Sequence, residues 1–117
     1  MNEKFAAKAI LMARKHGYGI KWQNLRFGFA RAVIDCNSYE EIYAVEYLFS
    51  KIKDVWIEHW ACSIGEFSGC VYVMDAADHE ELERLQKEDQ QRLDEWWMRY
   101  HFADEETRRL MACGAIQ

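Results

Sequence analysis

The sequence predicts an α+β fold with the order α-β-β-α-β-β-α-α: a three- to four-stranded antiparallel or mixed sheet, helices packed on it, a long C-terminal helix and a short terminal one. Three observations lead there. Apolar residues recur at helical spacing near both ends and in the middle of the chain, with period-two stretches between them. Capping-box patterns, Ser38 with Glu41 and Asp78 with Glu81, open two of the helices. The 117 residues contain no proline, so every break must be made by glycine or a capping residue. That length, half of it apolar, fits one domain spanning 1–117, with residues 78–113 as a C-terminal helical hairpin free to project.

Taken in order, residues 2–16 place Phe5, Ala9 and Met12 beside Ala6, Ile10 and Ala13 on adjoining apolar rows. Gly17 and Gly19 stop this helix. Residues 19–22 read as a short strand, Gln23-Asn24 as a turn and residues 25–35 as a longer strand. Apolar side chains on both of its faces make the longer strand a central one. After Ser38, the side chains of Ile42, Val45, Phe49 and Ile52 form a core stripe that runs to Asp54. Residues 55–64 and 67–75 are β-rich and meet at Gly65-Glu66, read as a two-residue hairpin loop. Asp78 then caps a helix reaching Phe102, Asp104 caps a last short helix, and Gly114 ends it.

Charge is spread unevenly behind a net of −5. Residues 1–34 hold seven Lys/Arg against one acid, residues 35–74 two against seven, and residues 75–117 six against twelve. An acidic total argues against direct nucleic-acid binding through phosphate contacts. The Arg26-Phe27, Phe29 and Arg31 cluster is too sparse to be a stacking platform for single strands. No apolar run approaches the roughly 20 residues that cross a bilayer, so no membrane association is expected. Residues 1–5 show no apolar signal region, and Cys36, Cys62, Cys70 and Cys113 read as free thiols, which together suit a cytoplasmic setting.

Catalytic patterns are missing. There is no Gly-rich phosphate loop and no nucleophile elbow. Asp75 and His79 with His59 or Cys62 could be assembled as metal ligands, but no known ligand spacing supports the set. His59 or His101 with Cys62, Cys70 or Cys113 is the only nucleophile pairing worth weighing; His59 and Cys62, three apart on a strand, point to opposite faces. Neither an enzyme, a cofactor nor a metal is therefore expected.

The long helix is the informative feature. Twenty-five residues, 78–102, span about 37 Å and should overrun the sheet of a domain with a radius of gyration of roughly 13 Å. Residues 86–92 are polar throughout, and the chain then turns apolar at Leu93, Trp96, Trp97, Tyr100 and Phe102. Tyr39, Tyr43 and Tyr47 form a second aromatic row beside a core face. The reading favoured is a small acidic, non-enzymatic protein-binding inhibitor. Its contacts are expected at Glu80, Glu83, Glu88, Asp89, Asp94 and Glu95, with Trp96, Trp97 and Tyr100 as anchors. The expected partner is a basic protein or nucleoprotein complex. In size and charge the chain resembles phage or mobile-element proteins of the anti-CRISPR and antirestriction kind, which place carboxylates where nucleic acid would lie in a host defence complex. Two alternatives stand beside it: a regulatory module, dimeric through its C-terminal helices, with a ligand pocket lined by Trp22, Trp56 and Trp60, and a small enzyme using a Cys or His.

Overall fold

Four helices and four strands follow one another as the sequence predicts, in a computed structural model that describes residues 2–114. The strands β1 (Lys21–Asn24), β2 (Ala30–Cys36), β3 (Val55–Cys62) and β4 (Ser68–Asp75) form one antiparallel sheet in the order β1-β2-β4-β3. The helices are α1 (Glu3–His16), α2 (Tyr39–Phe49), α3 (Ala76–Phe102) and α4 (Glu105–Ala112). The first six elements form two successive α-β-β units that meet along β2 and β4.

Helices α1 and α2 cover one side of the sheet, its helix-facing side, while the start of α3 meets the other, where Trp56 stacks on His79. Ala32, Ile34 and Cys36 of β2 and Val71 and Val73 of β4 point to the helix-facing side, as the alternation of a strand requires, and pack against Phe5, Ala9 and Ala13 of α1 and Ile42, Val45 and Phe49 of α2. These are the rows read from the sequence. Ile52, beyond the end of α2, is also drawn into this core at 7% exposure.

Local signals explain the helix ends. The Asn2 side chain accepts from Phe5 N and opens α1, and Gly17, at φ 75°, closes it in the left-handed region. The Ser38 hydroxyl accepts from Glu41 N at 3.1 Å, as its capping box predicts. Asp104 accepts from Thr107 N at 2.7 Å and caps α4.

Several boundaries differ from the sequence reading, among them β1, which lies at Lys21–Asn24 instead of residues 19–22. The turn between β1 and β2 lies at Phe27-Gly28, not Gln23-Asn24: both residues have positive φ (62° and 80°), and Phe29 N donates to Arg26 O, which makes a type I′ hairpin turn. Residues 25–29 therefore belong to this connection, and the central strand begins at Ala30. Helix α2 ends at Phe49, because residues 50–54 form turns that carry Ile52 inward. The β3–β4 loop has five residues, not two, since Cys62 pairs with Ser68 and Phe67 leaves the strand to meet Tyr39 at 5.1 Å. Helix α3 starts at Ala76 with the Asp75 carboxylate accepting from Asp78 N, so Asp75 does the capping assigned to Asp78.

The chain divides into two compact units, residues 1–82 and 83–117. The first holds the sheet, α1, α2 and the start of α3. The second holds the rest of α3 and α4.

Candidate interaction surface

The second unit is built from a helix too polar to bury. Its carboxylates are engaged largely along their own helix: Arg84 Nη1 lies 2.6 Å from Glu88, Arg92 3.8 Å from Asp89, and Gln90 donates to Asp94 at 2.9 Å. Glu83 is engaged as well. Exposed pairs at i,i+4 contribute about 0.3–0.5 kcal/mol each, and together they explain how a polar stretch remains helical.

Past this stretch the aromatic side chains organise into two sets. Trp96 and Trp97 each stack on Tyr100, with centroids 5.2 and 5.7 Å away. Arg108 of α4 donates from Nε to the Tyr100 carbonyl and from Nη2 to the His101 carbonyl, satisfying the free acceptors at the end of α3 and closing the helical hairpin. Trp96 and Tyr100 are half-buried in this cluster. The other set is open: Trp97 is 55% exposed, Met98 53% and Phe102 77%. Helical spacing sets Asp94, Met98 and Phe102 on one row with Glu95 beside it, Trp97 is turned about 100° round the helix from Met98, and all five are exposed.

The nine residues named from the sequence therefore separate. Glu80 belongs to the first unit and the other eight to the second. Glu83, Glu88 and Asp89 are tied up in contacts of their own; Trp96 and Tyr100 support the hairpin. Asp94, which accepts from Gln90, and Glu95 lie on the open row, and Trp97 is exposed to one side of it. Met98 was missed, although its i+4 spacing from Asp94 was available to find it.

The other candidates come apart in the first unit. Trp22 is on the helix-facing side of the sheet, whereas Trp56 and Trp60 are on the opposite side, where Trp56 stacks on His79 at 3.8 Å; the three do not line one pocket. His59 points to the helix-facing side, its Nδ1 2.7 Å from Glu46 Oε1, while Cys62 and Cys70 point away from it. The buried Cys36 thiol is pushed up to about 11, chiefly by burial and then by the nearby Glu41 carboxylate. Asp75 is occupied in capping α3. Among the described residues, no cluster of three or more His, Cys, Asp or Glu groups could hold a metal ion. No helix among them is long and apolar enough to cross a membrane.

The tyrosine row is at the surface: Tyr39, Tyr43 and Tyr47 are 42%, 60% and 67% exposed. Lys51 Nζ sits 4.8 Å above the Tyr47 ring, and the Tyr43 ring is edge-on to His59 at 6.5 Å. Comparison with protein-family models, curated proteins and solved structures returns no match.

Proposed function

We propose that the protein works by binding another protein, without catalysis, through the open row of α3, made of Asp94, Glu95, Met98 and Phe102, with Trp97 beside it. One observation carries this reading: Met98 and Phe102, 53% and 77% exposed, share one face of α3 with the exposed carboxylates of Asp94 and Glu95, and the 55% exposed Trp97 adjoins that face. Leaving such side chains in water costs about 25 cal/mol per Å² of apolar surface, and a partner that covers them recovers that free energy. Aromatic anchors ringed by charge are the usual centres of binding energy. The carboxylates select a partner with a basic rim around an apolar patch.

Proteins that hold nucleic acid present basic surfaces of this kind. An inhibitor of a host nucleic-acid-binding defence complex, phage or mobile-element encoded and acting in the host cytoplasm, is the specific form of the proposal. The acidic balance of residues 75–117, twelve acids against six bases, supports it. Glu88 and Asp89 pair with arginines of their own helix, whereas Asp94, which accepts from a neutral Gln90, and Glu95 bring the acidic contribution beside the apolar row.

The test uses the immobilised full chain in extract of its native host, beside Trp97→Ala and Phe102→Ala variants. The expected result is a basic, nucleic-acid-binding partner that is retained by the native chain, weakened about tenfold or more by either variant, and released at about 0.5 M salt. Partners that are acidic, or that both variants hold as well as the native chain, would overturn the proposal.

A further inference from the structure

The first unit carries a surface whose chemistry is the complement of the α3 row. A groove of about 480 Å³ runs between α1 and the turn that follows α2. Lys8 and Lys15 rim it from α1; Lys51 and Lys53 rim it from the turn. Leu11, Met12 and Ile52 form its apolar floor. The i, i+3, i+4, i+7 spacing of residues 8, 11, 12 and 15 puts all four α1 side chains on one face. Among the described residues, no carboxylate lines this groove.

Part of this charge has a local reason. Lys15 sits in the last turn of α1, where a cation offsets the helix dipole. Lys51 lies over the Tyr47 ring, and Lys8 and Lys53 also line a neighbouring pocket that holds Asp54 and Asp75. Leu11 is 66% exposed on the floor, so the groove pairs uncovered apolar surface with like charges that repel one another. An occupant that relieves both must bring carboxylates and apolar side chains on the same face. A nucleic acid brings phosphate charge but no apolar side chains to cover Leu11, Met12 and Ile52.

We propose that the occupant is the α3 row of a second copy of this chain. Asp94 and Glu95 supply the carboxylates, and Met98 and Phe102 follow one and two turns later as apolar anchors, the pattern of an amphipathic helix laid into a groove. Groove and row are different surfaces of one chain, so a single docking leaves one of each unused. Reciprocal docking uses all four and closes the pair as a two-fold dimer. This inference rests on the reading of the α3 row as a contact surface and identifies one partner for it.

The test is sedimentation of the full chain over a range of concentrations, with two charge reversals at exposed positions: Lys8→Glu with Lys15→Glu in the groove, and Asp94→Lys with Glu95→Lys on the row. The native chain is expected to dimerise, and each double variant alone to dimerise at least about tenfold more weakly. An equimolar mixture of the two should regain the dimer, because each reversed row then meets a reversed groove and each native row a native groove. A lesion of folding would not be repaired by mixing. A native chain that stays monomeric throughout overturns the inference, as does a dimer indifferent to the groove reversal. So does a native chain that retains a short duplex DNA through Lys8 and Lys15. If the native chain is monomeric while Trp97→Ala still loses a host partner, this inference falls and the α3 contact surface stands.

Discussion

Phe27 stands in the left-handed region at φ 62° and ψ 24°, where a side chain crowds its own backbone. Gly28 beside it, at φ 80°, has no such conflict. The type I′ turn requires positive φ at both positions and favours Asn-Gly, so Phe27→Asn should raise thermal stability by about 1 kcal/mol, read as an upward shift in Tm. The loss of the Arg26 guanidinium stacked 4.9 Å over the Phe27 ring offsets little of this at an exposed site. The cysteines make a second prediction at this scale. Cys36 is buried and its thiol is raised to about 11, so at pH 8 it is both shielded and protonated. Cys113 is exposed. Alkylation of the native chain followed by mass spectrometry should modify Cys113 first and reach Cys36 only under denaturing conditions.

At the scale of elements, caps decide where helices begin. Ser38→Ala removes the acceptor for Glu41 N and should cost about 1 kcal/mol in a denaturant titration, with the slope unchanged. The start of α3 teaches the complementary point. Asp75 and Asp78 are both acceptable caps by residue type and spacing, and choosing between them depends on where β4 stops. The strand runs to Asp75, and Ala76 N donates to the Asp54 carbonyl at 2.8 Å, which commits the chain to a helix at once. The β1–β2 turn went astray for a related reason. Phe27 and Phe29 alternate as strand residues do, and Gln23-Asn24 has turn composition, but the pairing of Asn24 with Ala30 leaves only residues 25–29 to reverse the chain.

At the scale of the whole chain, the net charge of −5 conceals a basic start and an acidic end, and the structure gives each a distinct chemical setting. Lysines of the start rim an apolar groove; acids of the end flank an exposed apolar row. Burial is as uneven as charge. Among the described residues, the buried apolar side chains lie in residues 1–82, apart from Met111. A chain ending at Leu82 should therefore keep a cooperative unfolding transition, whereas a peptide of residues 83–114 should be only partly helical by circular dichroism, having little apolar area to fix it.

Sequence alone determined the element order, the core stripes of α1 and α2, the central place of β2 and the caps at Ser38 and Asp104. All of these rest on short-range periodicity or on hydrogen bonds spanning three or four residues. Only the tertiary structure decided where the chain reverses, that Cys70 and His59 face opposite ways, and that Trp22 is separated from Trp56 and Trp60 by the sheet. Strand order and register are set by contacts between residues far apart in sequence, which local patterns do not encode. The same distinction applies to the α3 surface. The sequence marked the end of the helix as acidic and aromatic, but packing chose which side chains support the hairpin, Trp96 and Tyr100, and which are left open, Trp97, Met98 and Phe102.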